Sequence, residues 1–350
     1  MRWGVAACWA GRVENRTPDS EVGVPVVLGR LKRKPKGDVT VAVCPMPDGI
    51  SIARVQRDPD LPPSLDLCEY KEVHDLGEQD AVLKKLVASH GLDQYRCTSL
   101  MDPGSYSLLL VEAPDVLPSE LRAAIRWRIR DLIDFHYDDA VIDLFEVPEE
   151  AEKGPGFAGK AKMMYAVAAR SALVKQRIDQ LVNAGLDLSV VDVPELAMRN
   201  IASLLPEDVG GAALIYLGRE NGLVTLTRQS ILYLSRRIES GSESVLYAPQ
   251  SDTLDPAIQQ WLDGIVVELR RSLDYYESHF TQPPISNLVI APLERQIPGM
   301  AEYLSEQLDV SARMLDLNAL IDSANHLGAT SQFRCFLAIG AALRMDEATL

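Results

Sequence analysis

Cysteine and histidine most often hold metals or carry redox chemistry in proteins, and in this chain their spacing predicts no such site. The five cysteines, Cys8, Cys44, Cys68, Cys97 and Cys335, are far apart and form no C-x-x-C pair. The histidines form no H-E-x-x-H sequence. Paired spacing of that kind is typical of zinc and thiol–disulfide sites. We therefore expect no metal site, and we interpret the cysteines as small buried side chains in a reducing compartment.

The chain carries a formal charge of -15 at pH 7. A negative charge of this size argues against whole-surface binding to nucleic acid or to anionic lipid. Basic residues cluster near the N-terminus, at Arg30, Lys32, Arg33, Lys34 and Lys36. Residues 1–37 have no hydrophobic period and predict a disordered basic tail. This cluster is either solvated or in local contact with an anionic membrane surface, and we favour the solvated tail.

The length of 350 residues is enough to bury a large core in two lobes. Hydrophobic residues make up 47% and charged residues 24% of the chain, which is typical of a globular protein. No run of about 18 consecutive apolar residues occurs, so we expect no transmembrane helix. The first dozen residues lack an adequate apolar segment, and we predict no signal peptide.

The chain is organised around one long amphipathic helix. Ile265, Leu269 and Leu273 recur at four-residue spacing and predict an apolar stripe along one face. Pro283 ends the helical region because proline lacks the backbone N–H that a helix needs. The apolar run at 288–290 then predicts a short buried strand.

Hydrophobic periodicity predicts two successions of a three-stranded meander, a helix and a further strand. The first has strands at 39–43, 50–55 and 65–73, a helix at 78–90, and strands at 96–101 and 106–111. The middle has a helix at 119–130, strands at 139–147 and 162–169, a helix at 171–184, a strand at 186–193 and a helix at 194–205. The second has strands at 212–217, 223–228 and 230–236, the long helix and its strand, and helices at 298–308 and 336–344. The repeated order indicates an internal duplication.

Short-range signals predict where several elements end. The pair Asp48-Gly49 predicts the turn of the first hairpin. We expect Ser119 and Ser171 to cap the helices that follow them. Gly91 is expected to end the helix at 78–90, since glycine readily adopts the left-handed conformation found there.

Four segments, in this order, resemble the PilM-type proteins of type IV pilus assembly. They are D-F-H-Y-D-D-A-V-I-D-L-F-E-V at 134–147, V-D-V-P-E-L-A-M-R-N at 191–200, E-L-R-R-S-L-D-Y-Y at 268–276 and F-L-A-I-G-A-A-L-R at 336–344. The resemblance covers residues 38–346 and is strongest to the MshI branch, from mannose-sensitive haemagglutinin (MSHA) pilus systems. FtsA-like proteins and the cytoplasmic domain of GspL are related to this family.

The resemblance implies an α/β, actin-like (ribonuclease H-like, duplicated) ATPase fold with a small inserted α+β subdomain. The first lobe would then span 38–205 and contain the inserted subdomain at about 119–191. The second lobe would span 206–350.

In actin-like ATPases each lobe supplies a hairpin with an acidic residue for the metal–water shell and glycines for phosphate. Here the first hairpin has Ala42 or Val43 at the acidic position. Asp48 and Gly49 could replace the lost groups, although we favour a plain turn. The second hairpin retains Gly218 but has Tyr216 at its acidic position.

The resemblance also implies that Glu268, Arg271 and Ser272 face the adenosine of a bound nucleotide. An ordinary solvated helix face is the interpretation that we favour for them. Ala291-Pro292 stands where the family has a glycine pair beside the nucleotide. We therefore predict a degenerate nucleotide site with no catalytic residue, and we disfavour ATP and Mg²⁺ as cofactors.

The leading functional hypothesis is a cytoplasmic scaffold of an MSHA-type pilus machine, peripheral to the inner membrane. The resemblance implies that it binds the N-terminal peptide of a PilN-like single-pass membrane protein, and contacts other pilus components. The predicted helix at 119–130 borders the implied groove, and its Trp127 is as consistent with the core as with an interface. The alternatives are an active actin-like ATPase or sugar kinase, and a cytoskeletal filament protein.

Overall fold

The computed structural model describes residues 38–58, 61–73, 75–148, 162–246, 255–323 and 325–345. The predicted tail at 1–37 and the predicted loop at 149–160 lie outside the described residues. The chain begins with β1 (Asp38–Met46), β2 (Gly49–Arg57), β3 (Ser64–Glu72), α1 (Leu76–His90) and β4 (Arg96–Leu100). The middle contains β5 (Tyr106–Glu112), α2 (Pro118–Ile129), β6 (Ala140–Glu146), β7 (Met163–Arg170), α3 (Ser171–Asn183), β8 (Asp187–Asp192) and α4 (Pro194–Ala202). The last part contains β9 (Ala212–Leu217), β10 (Gly222–Arg228), β11 (Ile231–Ile238), α5 (Glu243–Leu246), α6 (Pro256–His279), β12 (Asn287–Ile290), α7 (Met300–Leu308), β13 (Ser311–Met314), β14 (Asp322–Ser323) and α8 (Ala329–Ala342).

The first lobe is built on a six-stranded sheet with the order β14-β3-β2-β1-β4-β8. Both faces of β1 are buried, which explains its nearly continuous apolar sequence. Val41 and Val43 pack into the cluster on the α1 side. Ala42 and Cys44 face the opposite way, into the cluster that contains α8. Gly91 ends α1 in the left-handed conformation, as its sequence predicted.

The second lobe is built on a five-stranded sheet with the order β11-β10-β9-β12-β13. The predicted apolar stripe of α6 lies against this sheet, and Leu262, Ile265 and Leu269 are fully buried there. The helix begins at Pro256, where the side chain of Asp255 accepts a hydrogen bond from the Ala257 N–H. An aspartate before a proline is a favourable helix start, because it supplies the acceptor that the first turn lacks.

The inserted unit is a three-stranded sheet with the order β5-β7-β6. One face packs against α2, and the other packs against the second lobe, where the Tyr165 hydroxyl donates to the Tyr233 carbonyl. β8 pairs with β4 in the first-lobe sheet. The arrangement therefore differs from the predicted range of about 119–191 at both ends. β5 precedes that range, and β8 returns to the first lobe within it.

The C-terminal elements cross back from the second lobe to the first. β14 pairs with β3, and α8 packs on β1, β2 and β3. The predicted assignment of all of 206–350 to the second lobe therefore differs from the observed arrangement. α8 also packs tightly on α4, where a Cβ on Gly340 would lie 2.3 Å from the Ala197 carbonyl oxygen. Glycine at this position permits the two helices to approach closely.

Three local predictions need correction. The first hairpin turns at Pro47-Asp48, because Met46 pairs directly with Gly49. Ser119 does not cap α2, since Pro118 already occupies its first turn and Leu117 precedes it. Ser171 lies inside α3, and its hydroxyl donates to the Asp139 carbonyl. Within the described part of the chain, no helix combines the length and hydropathy that a membrane span requires.

Candidate functional site

Three loops meet where the two lobes face each other, and each is a loop for which the resemblance implies nucleotide contacts. The first is the β1–β2 turn with Asp48, the second is the β9–β10 hairpin with Arg219, and the third follows β12 and contains Glu294. β9 and β12 are parallel neighbours, so the second and third loops leave their sheet at the same edge. Ion pairs join these two loops to the first.

We call Asp48, Arg219, Glu294 and Arg334 the interlobe network. The Arg219 guanidinium donates to both oxygens of Glu294, with Nη2–Oε1 and Nε–Oε2 distances of 2.7 and 2.9 Å. Arg334, from α8, donates through Nη2 to Glu294 Oε1 at 2.8 Å and through Nη1 to Asp48. Arg219 Nη1 lies 3.8 Å from Asp48 Oδ2. The positive charges of the two arginines thus balance the negative charges of the two carboxylates, and each carboxylate is paired with arginine.

Aromatic side chains surround the interlobe network. The Arg334 guanidinium lies over the Tyr70 ring, 4.7 Å from its centroid, and the Tyr70 hydroxyl donates to the Asp48 carbonyl. Tyr216 stacks on Phe336 with 5.4 Å between ring centroids and an interplanar angle of 6°. Burial raises the pKa of Tyr216 to about 12, so this phenol is neutral near pH 7. Tyr216 is therefore an aromatic packing residue at the position where the resemblance implies an acid.

The electrostatics of Glu294 reflect its two arginine partners. The hydrogen bonds from Arg219 hold the pKa of the Glu294 carboxyl below its usual range, and the nearby Arg334 charge acts in the same direction. Arg334 is only 8% exposed and Glu294 only 18%. Charge-assisted hydrogen bonds in such a partly buried setting are stronger than those on an open surface. The interlobe network therefore holds the three loops together.

The glycines predicted to face phosphate have structural roles in this arrangement. A Cβ on Gly49 would lie 2.5 Å from the Lys71 carbonyl oxygen, so this glycine permits β2 and β3 to pair closely. A Cβ on Gly218 would lie 2.9 Å from the Asn221 carbonyl oxygen. The Gly218 carbonyl also accepts hydrogen bonds from the Ser242 N–H and hydroxyl, at 2.8 and 3.1 Å. The segment after β11 thus packs over the second hairpin.

The three residues predicted to face adenosine form a separate group on α6. Glu268 pairs with Arg271 at 2.8 Å and with Arg236 of β11 at 3.6 Å. The buried Ser272 hydroxyl donates to the Glu268 carbonyl at 2.8 Å, one helical turn back. Arg271 is 63% exposed. Of the six predicted site residues, the structure brings Asp48, Gly49 and Gly218 to the loops of the interlobe cleft. Glu268, Arg271 and Ser272 instead pair with one another.

The carboxylates of the interlobe network are paired with arginine side chains in this structure. Mg²⁺ in such sites is held by carboxylates and substrate phosphates, and the two carboxylates here are both paired with arginine. Pro45 and Pro47 offer no N–H to a phosphate. Across the described residues, no group of three or more histidine, cysteine or acidic side chains could hold a metal ion.

Sequence reasoning missed Arg219, Glu294 and Arg334. Arg219 directly follows Gly218, and Glu294 lies two residues after Pro292, so the loops were identified without their charged residues. Arg334 lies just ahead of the terminal F-L-A-I-G segment. Its position in the cleft follows only from the return of α8 to the first lobe.

A second concave region lies between α1, α3 and the β1–β2 hairpin, and its cavity measures about 760 Å³. We call it the α1–α3 groove. Arg177 forms part of the lining and donates to Asp102 Oδ2 at 2.6 Å and to the Pro45 carbonyl at 3.0 Å. Leu173 lines the groove and is partly exposed.

Trp127 of α2 is 61% exposed, which excludes the core alternative for this residue. The Arg130 guanidinium covers its ring at 4.0 Å.

No protein-family model and no curated protein sequence matches this chain. Among solved structures, the chain is similar to a PilM–PilN type IV pilus biogenesis complex, with a TM-score of 0.68, 20% identity, and coverage of 88% of this chain and 98% of the other. It also matches the cytoplasmic domain of EpsL, an inner-membrane component of the type II secretion system of Vibrio cholerae, at TM-score 0.47 and 11% identity, over 88% of this chain and 96% of that one. A Bacteroides thetaiotaomicron protein of unknown function with an actin-like ATPase fold matches at TM-score 0.46 and 10% identity, over 81% of this chain and 93% of that one.

The likeness at a TM-score of 0.68 shows that the chain shares the fold of the pilus biogenesis protein. The two meander-based sheets, the inserted small sheet and the two helices packed between them match the α/β architecture that the sequence predicted. The predicted actin-like fold class is confirmed.

Proposed function

We propose that this protein is a non-catalytic scaffold of a type IV pilus assembly machine, of the MSHA type, at the cytoplasmic face of the inner membrane. The observation that carries the proposal is the interlobe network. It joins, through the chain's own side chains, the three loops that would have to hold a nucleotide in an active relative. The similarity in fold to a pilus biogenesis complex supports the choice of machine.

The charges at the cleft favour a scaffold over an ATPase. Phosphoryl transfer depends on cations that stabilise the transferring phosphate, and on carboxylates that hold those metal ions in place. The network's two carboxylates are each held by arginine, and its two arginines are each held by carboxylates. Opening the site for a nucleotide would break these ion pairs before any new contact formed. Binding energy would therefore be consumed in separating the loops.

We propose a PilN-like inner-membrane protein as the partner, through its short cytoplasmic peptide. The similar solved structure is itself a PilM–PilN complex, which supports this class of partner. The lining of the α1–α3 groove combines the apolar Leu173 with the polar Gln79 and Asp102. Such a mixture suits a peptide that is held by backbone hydrogen bonds and a few apolar side chains.

Nucleotide binding by calorimetry tests the first half of this proposal. With millimolar ATP and Mg²⁺, we expect no binding heat and no thermal shift from the full chain. The scaffold proposal is contradicted if ATP binds with a dissociation constant below about 10 μM, a binding free energy of roughly -7 kcal/mol, and if Arg219→Ala abolishes this binding. The protein would then be an ATP-binding relative.

Peptide binding tests the second half. The N-terminal cytoplasmic peptide of the PilN-like protein from the same organism would be labelled, and its binding followed by fluorescence polarisation. We expect Leu173→Asp to weaken binding about tenfold or more, since it places a charge in the apolar part of the groove. Val182→Asp is the matched control, because Val182 is an exposed residue of the same helix outside the groove. Equal effects of both variants, or no binding of the wild type, would refute this site.

A further inference from the structure

The β1–β2 turn, residues 45–48, belongs to both concave regions of the molecule. Its first three residues line the α1–α3 groove. Its last residue, Asp48, pairs through its carboxylate with Arg334 in the interlobe network. One four-residue segment is therefore a wall of the groove at one end and a member of the interlobe network at the other.

Side chains of α1 and α3 hold the turn from the groove side. Arg177 of α3 donates through Nη1 to the Pro45 carbonyl at 3.0 Å, and Gln79 of α1 donates through Nε2 to the Met46 carbonyl at 2.8 Å. Both side chains belong to buried residues, with 8% of Arg177 and 6% of Gln79 exposed. Breaking a hydrogen bond of a buried donor is costly, because water does not replace the lost partner. The first half of the turn is therefore fixed to two helices.

The end of β3 and the helix α8 hold the turn from the cleft side. The Asp48 carbonyl accepts hydrogen bonds from the Tyr70 hydroxyl at 2.8 Å and from the Val73 N–H at 3.1 Å. The Asp48 carboxylate accepts from Arg334, whose side chain is 8% exposed. A charge-assisted hydrogen bond from a buried guanidinium is the strongest kind of contact in this set.

The backbone of the turn has little freedom to absorb a movement at either end. The rings of Pro45 and Pro47 fix the backbone φ angle at two of its four residues. The next residue, Gly49, is packed so closely that a Cβ there would lie 2.5 Å from the Lys71 carbonyl oxygen. A change in the position of Asp48 is therefore transmitted to the residues that line the groove.

We infer that Arg334 and Asp48 are positioning residues for the α1–α3 groove and act on it through the β1–β2 turn. This role rests on the proposed function, which supplies a short peptide as the ligand of the groove. While Arg334 holds Asp48, the turn already has the position in which it lines the groove, and a peptide binds without having to order it. When the ion pair is lost, peptide binding includes the cost of ordering the turn. Neither residue lines the groove itself, so the loss of affinity does not come from a lost contact with the peptide.

Peptide affinity in the full chain tests this role. The labelled peptide of the proposed PilN-like partner is titrated by fluorescence polarisation, and we expect Arg334→Met to weaken its binding about fivefold or more. Asp48→Asn, which keeps the size and the turn preference of the side chain, should weaken binding in the same direction. Because the two residues act through one contact, the double variant should bind about as weakly as the weaker single variant. Arg334→Lys keeps the positive charge and should retain more affinity than Arg334→Met.

Hydrogen exchange followed by mass spectrometry tests the position of the turn without any ligand. Relative to a peptide from β10, which reports global unfolding, the peptide containing the turn should exchange about fivefold or more faster in Arg334→Met. Asp48→Asn should change this exchange in the same direction, and it keeps the test available if Arg334→Met fails to fold. In the wild type, the bound peptide should slow exchange of the turn, because the coupling between two sites is reciprocal.

Arg313→Met is the matched control. Arg313 donates to both oxygens of Glu207, which is 18% exposed, as Glu294 is, and this pair does not touch the turn. The inference is overturned if Arg313→Met speeds exchange of the turn as much as Arg334→Met does. It is also overturned if Arg334→Met and Asp48→Asn leave the peptide affinity unchanged, or if their separate effects on affinity multiply in the double variant. If the wild type does not bind the peptide, the proposed partner is wrong. Exchange of the turn then decides the inference alone, since unchanged exchange in both variants would contradict it.

Discussion

Replacing Arg334 by methionine perturbs the interlobe network at its most buried member. The Arg334 side chain is 8% exposed and pairs with Glu294 and Asp48, which belong to different lobes. Methionine keeps an unbranched apolar stem of similar length, so packing against Tyr70 and Phe333 changes little. The variant removes the charge and its donors while Glu294 keeps Arg219. Asp48 then keeps the 3.8 Å contact to Arg219.

The expected loss follows from the burial of the three partners. Removing one partner of a fully buried pair costs about 3–5 kcal/mol, because the other charge remains desolvated. Here Glu294 is 18% and Asp48 33% exposed, and water recovers part of this cost. Loss of the cation–π interaction with the Tyr70 ring adds about 0.5–1 kcal/mol. We therefore expect the free energy of unfolding to fall by about 2–3 kcal/mol.

Urea denaturation and thermal unfolding measure this loss. At about 2 °C per kcal/mol for a chain of this size, the melting temperature should fall by about 4–6 °C. Arg271→Met is the matched control, because it breaks an ion pair of a side chain that is 63% exposed. An exposed pair of this kind contributes less than about 0.5 kcal/mol. Comparing the two variants therefore shows whether the loss of stability depends on the burial of the ion pair or follows from breaking any ion pair.

The reasoning fails if Arg334→Met is as stable as Arg271→Met. A double-mutant cycle with Glu294→Gln adds a direct measure of the contact. We expect a coupling energy of about 1–2 kcal/mol between Arg334 and Glu294, as for other residues in one charge network. Coupling near zero would mean that these two side chains are neighbours without mutual stabilisation.

Two further predictions concern acid stability and helix packing. Because the folded pKa of Glu294 is depressed, its contribution is present above its ordinary value near 4.5 and is lost as pH falls through the folded pKa. We therefore expect the free energy of unfolding, measured by urea titration from pH 6 to 3, to fall less in Arg219→Met than in the wild type, because the variant is already less stable at neutral pH. The same dependence of this free energy on pH in both proteins would contradict the prediction. Gly340→Ala should cost about 1–3 kcal/mol, since its Cβ would press on the Ala197 backbone, whereas Gly264→Ala in the exposed part of α6 should stabilise by about 0.5–1 kcal/mol. Similar effects of the two alanines on urea midpoints would refute the close approach of α4 and α8.

Local patterns in the sequence predicted most of the elements. The stripe of Ile265 and Leu269 predicted α6, and the alternation in the two meanders predicted their six strands, because helix and strand periodicities depend only on nearby residues. Gly91 predicted a helix end for the same reason. The short elements β13, β14 and α5 were missed, since two to four residues are too few to show a period.

Long-range arrangement was harder to predict. Nothing near α8 in the sequence indicates that it packs on the first-lobe sheet, because that choice depends on surfaces formed by distant strands. Arg334 and Asp48 are 286 residues apart, so their pairing could not be read from spacing.

The position of Arg334 connects these observations. In nucleotide-binding proteins of this fold, as the resemblance implies, the ligand touches hairpins of both lobes and so holds them together. Without a ligand between the hairpins, the two sheets are joined where α4, α8 and the inserted sheet pack. A further link between the hairpins then has to come from the chain's own side chains. Arg334 provides such a link because α8, although C-terminal to the second lobe, lies on the first-lobe sheet and directs its guanidinium to Asp48 and Glu294. Charged groups suit this position better than apolar ones, since two ion pairs fix the distance and angle between the loops, whereas apolar side chains would permit sliding. A fixed relative position of the lobes is the property that a scaffold requires, and it is the opposite of what a hydrolysis cycle requires of its cleft.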